Sequence, residues 1–195
     1  MKTGTASFSS KKYTGLIGFF LVISVVFNSF CAFAQITKAP SFVRPLPVPH
    51  RAVNDFAKFV NENEKALLEK ELVAYHTRTG NAIVFISLDS LTDPATKKQY
   101  TIEEAARLYF NTWGIGDSIK NNGVLIMASK SPRRVRIEVG KGLEIILTNE
   151  FCQQIIDEKL VPNFKQGSFF AGIKEAVEAI VIKLDSTPGN KKGHL

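Results

Sequence analysis

Six polar residues with oxygen donors lie at the ends of predicted helices and strands. Asp and Asn side chains often cap helices and form turns at such places. In open α/β sheets, however, these ends can also converge on one crevice. Several carboxylate and amide oxygens in one crevice would suit Ca²⁺ or Mg²⁺, which take oxygen ligands. The candidate cation ligands are Asp55, Asp117, Asn121, Asn122, Glu144 and Asn149.

A second group of residues could bind anions, because five basic side chains are predicted to lie on or beside one β-hairpin. Charged hairpins of this kind commonly resist pairing with the edge of another sheet. They can also bind an anionic surface, such as lipid headgroups or an acidic partner. The basic residues are Lys130, Arg133, Arg134, Arg136 and Lys141.

The sequence gives little indication of a zinc site, a serine nucleophile or a dinucleotide-binding loop. The three histidines share no ligand spacing, and no serine lies in a nucleophile-elbow pattern. Gly114–Gly116 and Gly140–Gly142 each resemble half of a dinucleotide fingerprint. Ile119 and Ile145 stand where the third glycine would be, which favours tight turns over phosphate binding.

The elements that must position these residues begin with two capped helices and a strand between them. Asn61 and Glu64 form a capping-box pattern that predicts a helix to about Arg78. Ala82–Ile86 is a short, continuous apolar run typical of a strand buried on both faces. Thr101 opens a second predicted helix that reaches Trp113.

The second half of the chain predicts a hairpin followed by two helices. Val124–Ala128 is a buried strand, and Arg134–Val139 alternates apolar and charged residues as a strand with one solvated face does. Thr148 caps a third helix expected to end before Pro162, and a fourth runs from Ser168 to Leu184. The pattern predicts the α/β class: a three-layer α/β/α sandwich with a small mixed central sheet flanked by helices.

The first 34 residues are typical of a cleavable signal peptide. Lysines precede an apolar run of about 15 residues, which is shorter than the roughly 20 that span a membrane. Ala32-Phe33-Ala34 supplies a small-x-small cleavage pattern, although an uncleaved anchor is the alternative. The predicted organisation is a signal peptide (1–34), a proline-rich linker (35–52), one domain (53–184) and a polar tail (185–195). We therefore expect an exported protein, periplasmic or secreted.

The net charge and the cysteine content of the cleaved chain bear on its partners and on its disulfides. Removing Lys2, Lys11 and Lys12 from 25 basic residues leaves 22 against 18 acidic residues, a net charge of +4. This mild charge argues against a nucleic-acid partner. Cleavage also leaves Cys152 as the single cysteine, so no internal disulfide can form, and we expect a buried, inert thiol.

Several motifs, in their order and spacing, resemble those of the TPM domain family. The resemblance covers about Val53 to Leu184, and the motifs that carry it are Trp113–Gly116, Asn122–Ile126, Arg136–Glu144, Leu147–Asn149, Pro162–Phe164 and Gly172-Ile173. The resemblance implies an α/β/α sandwich that faces an extracytoplasmic compartment. Thylakoid lumen proteins, photosystem II repair factors and exported bacterial proteins belong to this family. Acid phosphatase activity and calcium binding have been attributed to some members, and others resemble non-catalytic factors that assist membrane complexes.

The chain departs from the family pattern at three positions. Asn121 and Asn149 stand where the family often has Asp, and Lys141 replaces a common aromatic residue. The loss of two carboxylates weakens calcium binding, because affinity depends on ligand charge. We therefore expect a non-catalytic binding or assembly module for an unidentified protein or membrane complex, with a weak calcium site. The alternatives are a metal-dependent phosphatase that uses Asp55 or Asp117, and a peripheral binder of anionic membrane.

Overall fold

The computed structural model describes residues 51–94 and 96–187. The predicted signal peptide, most of the linker and the last eight residues of the tail lie outside this part of the chain. The strands are β1 (Val53–Asp55), β2 (Ala82–Ser90), β3 (Gly123–Ser131) and β4 (Arg134–Val139). The helices are α1 (Glu62–Thr79), α2 (Ile102–Trp113), α3 (Asn149–Ile155), α4 (Val161–Lys165) and α5 (Phe169–Asp185), with a π-helical segment, Ile156–Leu160, between α3 and α4. Within the described ranges, no helix combines the length and apolar character needed to cross a bilayer.

The four strands form one mixed sheet in the order β1-β2-β3-β4. The first three are parallel, with Val53 opposite Phe85 and Ala82 opposite Gly123. β4 returns antiparallel to β3 as a hairpin. Helices flank this sheet, so the predicted α/β sandwich is confirmed.

Each face of the sheet carries its own core because side chains alternate along the strands. On one face, Phe85 and Ile126 pack in a cluster with residues of α1, α3 and α5. On the other face, Leu125 and Met127 pack against Ala106 and its neighbours on α2. This division explains why β2 and β3 are almost continuously apolar.

The predicted helix boundaries are largely confirmed. Asn61 forms a complete capping box with Glu64 at the start of α1, and Thr101 does the same at the start of α2. Gly80 ends α1 in the left-handed conformation, with its N–H donated to the carbonyl of His76. These caps are local interactions, so the sequence pattern alone predicts them.

Two elements differ from the sequence prediction. The three-residue strand β1 was not predicted, because its position depends on distant groups: Glu69 of α1 accepts the backbone N–H groups of Ala52 and Val53 at 2.9 and 2.8 Å. The third helix does not end before Pro162 but continues through the π-helical segment into α4. Proline is tolerated there because it lies in the first turn of α4.

Candidate functional site

Asp55 has a structural position at the end of β1. Its carboxylate accepts the hydroxyl of Ser87 on β2, and also the backbone N–H groups of Phe59 and Val60, each at 3.0 Å. The Ser87 oxygen in turn accepts the N–H of Ala57 at 2.9 Å. These bonds fold the chain back from β1 towards α1 and occupy both carboxylate oxygens.

Asp117, Asn121 and Asn122 form the loop that leads into β3. The Asp117 carboxylate accepts the N–H groups of Lys120 at 2.8 Å and Ile119 at 2.9 Å. These two backbone bonds lower the pKa of Asp117 below its ordinary value. The carboxylate therefore stabilises its own loop.

Asn122 is buried and links three parts of the chain. Its side-chain carbonyl accepts the N–H of Asp117 at 2.9 Å, and its amide donates to the Gly80 carbonyl and the Asn81 side chain, each at 3.0 Å. The amide thus ties the end of α1 to the start of β3.

Asn121 is exposed and has a φ of 48°, a left-handed conformation that Asn tolerates better than most residues.

The strand register separates Asp55 from this loop, which corrects the expectation of one shared crevice. Asp55 lies opposite Ser87, whereas Asn122 precedes Gly123, which lies opposite Ala82. Ser87 and Ala82 are five residues apart on β2, or about 16 Å along the strand. Asp117 and Asn122 therefore lie near the amino end of β2, and Asp55 lies towards its carboxyl end.

Glu144 and Asn149 are brought together at a polar cleft of about 370 Å³ beside β4. The cleft lies where α2, the outward face of β4 and the start of α3 meet. Its charged and polar lining consists of Arg107, Arg136, Glu138, Glu144, Thr148, Asn149 and Glu150. The other four predicted cation ligands do not line it.

Ion pairs to Glu138 organise the cleft. Arg136 lies on the same face of β4 and contacts the Glu138 carboxylate at 3.2 Å through both Nε and Nη2. Arg107 of α2 approaches the other carboxylate oxygen at 3.7 Å. The Glu138 side chain is only 14% exposed, whereas that of Arg107 is largely in solvent. The cleft therefore holds a carboxylate balanced by two guanidinium groups.

Arg107 and Glu138 were not among the predicted site residues. Glu138 was expected on a solvated face of β4, but α2 packs against that strand. The signal that could have found the pair is the spacing of Arg136 and Glu138, because residues two apart share one face of a strand. Nothing in the local sequence indicates that Arg107 belongs with them.

The basic residues of the predicted hairpin do not form one surface. Lys130, Arg133 and Arg134 lie at the β3–β4 turn, where Lys130 is 3.7 Å from Asp89. Lys141 follows the far end of β4, about 20 Å along the strand from Arg134. Arg136 faces the cleft and is paired with Glu138. The predicted anionic-surface cluster is thus divided among three places.

The glycines of the two half-fingerprints bring loops together. The N–H of Gly142 donates to the Asn121 carbonyl at 3.0 Å, and a side chain at Gly142 would collide with the Lys120 carbonyl. A side chain at Gly116 would collide with the backbone of Gly123. These glycines are therefore required for close packing of backbone against backbone.

No group of three or more His, Cys, Asp or Glu side chains that could hold a metal is found among residues 51–94 and 96–187. The calcium site thus stays a prediction, and Glu144 with Asn149 is the pair of predicted ligands that shares a cleft.

Cys152 is buried, as expected, and burial raises the pKa of its thiol to about 11. It lies in the core and takes no part in the cleft.

Comparison with known proteins decides the family, because the model of the TPM domain matches residues 53–183. The chain belongs to the TPM domain family. This match spans all four strands and nearly all of the helices, so the cleft and the packed glycine loops lie within the TPM domain of this chain. No curated protein matches the chain.

Solved structures from three bacteria share the fold. The N-terminal domain of a P. gingivalis protein is 25% identical, with a TM-score of 0.63, and the match covers 78% of this chain and 98% of that one. The BA42 protein of Bizionia argentinensis is 17% identical, with a TM-score of 0.55 and coverage of 72% and 93%. An N-terminal domain from Corynebacterium glutamicum is 12% identical, with a TM-score of 0.52 and coverage of 75% and 86%.

Proposed function

We propose that this TPM-domain protein is exported and acts as a non-catalytic binding or assembly module for an envelope or membrane complex. The cleft beside β4 is its contact site for a protein partner. The apolar segment and cleavage pattern at the start of the sequence support export. The proposal assigns the partner to the cleft because charged groups from three elements meet there.

The observation that carries this proposal is the pairing of Glu138 with Arg136 and Arg107. A carboxylate that acts as a nucleophile or a general base needs a free lone pair directed at the substrate. Glu138 instead has an arginine at each oxygen, Arg136 at 3.2 Å and Arg107 at 3.7 Å. Asp55 and Asp117, which the phosphatase alternative requires, accept backbone N–H groups of their own turns.

The cleft offers a partner both signs of charge in a fixed arrangement. The exposed Arg107 can bind a carboxylate of the partner, and Glu144 and Glu150 can bind its basic side chains. The backbone N–H of Glu150 and the Thr148 hydroxyl hold the pKa of the Glu150 carboxyl below its ordinary value. Such complementary charges favour specificity and correct orientation in an interface.

The phosphatase alternative has one observation in its favour. Arg107 and Arg136 place two guanidinium groups in the same cleft as Glu144, and guanidinium groups bind phosphoryl oxygens well. A reaction would still require an attacking group or a base, and Glu144 is the cleft carboxylate that could serve as one. Hydrolysis of a phosphate ester therefore separates the two functions.

Site-specific crosslinking in the producing cells tests the binding proposal. A photo-crosslinking residue replaces Asn149 in the cleft, and a matched control replaces Lys70 of α1, which lines a separate depression near β1. We expect position 149 to crosslink to a defined protein and position 70 not to do so. We also expect Arg107→Glu to remove the crosslink. Equal crosslinking from both positions, or a yield unchanged by Arg107→Glu, would refute the cleft as the contact site.

A further inference from the structure

Strand β4 lies at one edge of the sheet and pairs with β3 on one side only. At its end, the N–H of Gly140 donates to the carbonyl of Gly123 on β3 at 2.8 Å. Successive residues of a strand direct their backbone groups to opposite sides, so every second residue back from Gly140 faces β3. Within the part of the chain that the structure describes, nothing bonds to the backbone groups that point the other way. These outward groups belong to Val135, Ile137 and Val139.

The cleft beside β4 runs along this unpaired edge. Neighbouring side chains on a strand point to opposite faces of the sheet, so a pocket over one face contacts every second residue. The cleft is instead lined by four consecutive residues of β4, Arg136–Val139. Ile137 is only 3% exposed, so the edge lies below the side chains that surround it. The cleft is therefore a groove with unpaired backbone groups at its floor, and such groups are normally paired in folded proteins.

The two walls of the groove carry opposite charges. Arg136 and Glu138 lie on the face of the sheet that α2 covers, and Arg107 of α2 joins them, which gives this wall a net charge of +1. The other wall consists of the loop after β4 and the start of α3; it contains Glu144 and Glu150 and no basic residue, a net charge of −2. An extended segment in the groove directs alternate side chains to the two walls. Acidic residues towards α2 and basic residues towards α3 match both walls.

We propose that an extended segment of the partner protein, with acidic and basic side chains in alternation, adds to the sheet as a fifth strand beside β4. The inference rests on the proposed function, because it names the chemistry of the partner that the cleft binds. Backbone hydrogen bonds to β4 supply affinity in this mode of binding, and the two walls select the side chains.

The recessed edge argues against a second copy of this chain as the occupant. Paired strands lie about 4.8 Å apart. A second copy presents the same edge below the same surrounding side chains, so two such edges cannot approach to that distance. A single extended segment has no walls of its own and can reach the floor of the groove.

Fluorescence anisotropy with synthetic peptides of about eight residues tests the inference. The protein is the chain from Gln35 onward, which retains both described cores because they lie between Val53 and Leu184. In the alternating peptide, glutamate and lysine alternate; in the block peptide, the same residues form an acidic half and a basic half. Two further versions of the alternating peptide carry a methyl group on the backbone nitrogen of either every glutamate or every lysine. These two sets of nitrogens point to opposite edges of an extended peptide, so only one set can face β4.

Two variants of Val139 test the same contact from the side of the protein. Val139→Pro removes a backbone donor that points away from β3, so the sheet keeps its own hydrogen bonds. Val139→Ala is the matched control, because it shortens the same side chain but keeps the donor. Circular dichroism checks that both variants fold. If Val139→Pro does not fold, the two methylated peptides decide the question.

We expect the alternating peptide to bind the unaltered chain and Val139→Ala equally. The block peptide, one of the two methylated peptides and the Val139→Pro variant should each weaken binding about tenfold or more. The inference would be overturned if the alternating peptide did not bind, or if the two methylated peptides bound equally. A dimer in sedimentation equilibrium that Val139→Pro dissolves and Val139→Ala retains would also overturn it, because the edge would then bind a second copy.

The crosslink from position 149 separates this inference from the proposed function. We expect Val139→Pro to remove that crosslink and Val139→Ala to retain it. A crosslink that persists in folded Val139→Pro would overturn strand addition and leave the cleft as the contact site. If position 149 of the unaltered chain captures no defined protein, the contact site itself is refuted.

Discussion

Gly142 and Asn121 join the two signature loops of this TPM domain: the N–H of Gly142 donates to the Asn121 carbonyl at 3.0 Å. The carbonyl of Lys120 occupies the space that a side chain at position 142 would need. The loop that leads into β3 is therefore held by the loop that leaves β4. The second loop also contains Glu144, which lines the cleft.

Substitution of Gly142 by Ala should separate these loops. The added methyl group would collide with the Lys120 carbonyl, and we expect the free energy of unfolding to fall by about 2–4 kcal/mol. Chemical denaturation measures the change. Gly167→Ala is the control, because Gly167 has a φ of 77° but open space around it, and should cost only about 1 kcal/mol. Equal losses would contradict the packing role of Gly142.

Substitution of Glu138 by Gln should destabilise the domain and disturb the cleft. The change removes the charge that balances Arg136 and Arg107 in a partly buried site, and we expect a loss of about 1–3 kcal/mol. Glu178→Gln serves as the matched control, because its pair with Lys174 is exposed and worth about 0.5 kcal/mol or less. A loss at position 138 no larger than at position 178 would show that the ion pairs do not organise the cleft.

Asp117 should give the domain a pH-dependent contribution to stability. Its folded-state pKa lies below the ordinary value of 3.8, because the Lys120 and Ile119 N–H groups favour the ionised form. The contribution is therefore fully present above the unfolded-state pKa and is lost as pH falls through the lower folded-state pKa. Thermal melts of the unaltered chain and Asp117→Asn, from about pH 7 down to about pH 3, measure it. We expect the variant to melt lower at neutral pH and the gap to narrow towards about pH 3; a constant gap would refute this origin.

Cys152 should react slowly with thiol reagents while the domain is folded. Burial shields the sulfur and raises its pKa to about 11, so little thiolate exists near pH 8. The chain from Gln35 has this single cysteine, so labelling by a disulfide reagent reports on it alone. We expect labelling to become fast only in denaturant. Rapid labelling of the native chain would mean that the site is open.

The sequence predicted the elements whose signals are local. The capping boxes at Asn61 and Thr101, and the alternation of Arg134–Val139, depend on residues a few positions apart. Strand β1 was missed because three residues are too few to show an alternation of apolar and polar side chains. Its hydrogen bonds come from Glu69 and from β2. The continuation of the helix past Pro162 was missed because tertiary packing, not propensity, supports it.

The candidate site was predicted less well than the fold. Glu144 and Asn149 do lie at one cleft, but the register places Asp55 about 16 Å along the sheet from the loop before β3. Polar residues at the ends of elements are expected near the ends of the strands. The sequence pattern does not show at which end of the sheet each of them lies. Arg107 reaches the cleft only because α2 packs across β4, and no short-range pattern encodes that contact.

Hydrolysis of p-nitrophenyl phosphate by the purified chain from Gln35, with Mg²⁺ or Ca²⁺ present, tests the central claim most directly. We expect a rate equal to the background without protein, because Glu138 is ion-paired with two arginines and Asp117 is bound by its own loop. The claim would be contradicted by a rate above background that Glu144→Gln or Glu138→Gln abolishes and Glu178→Gln retains. In that case, the cleft would be an active site.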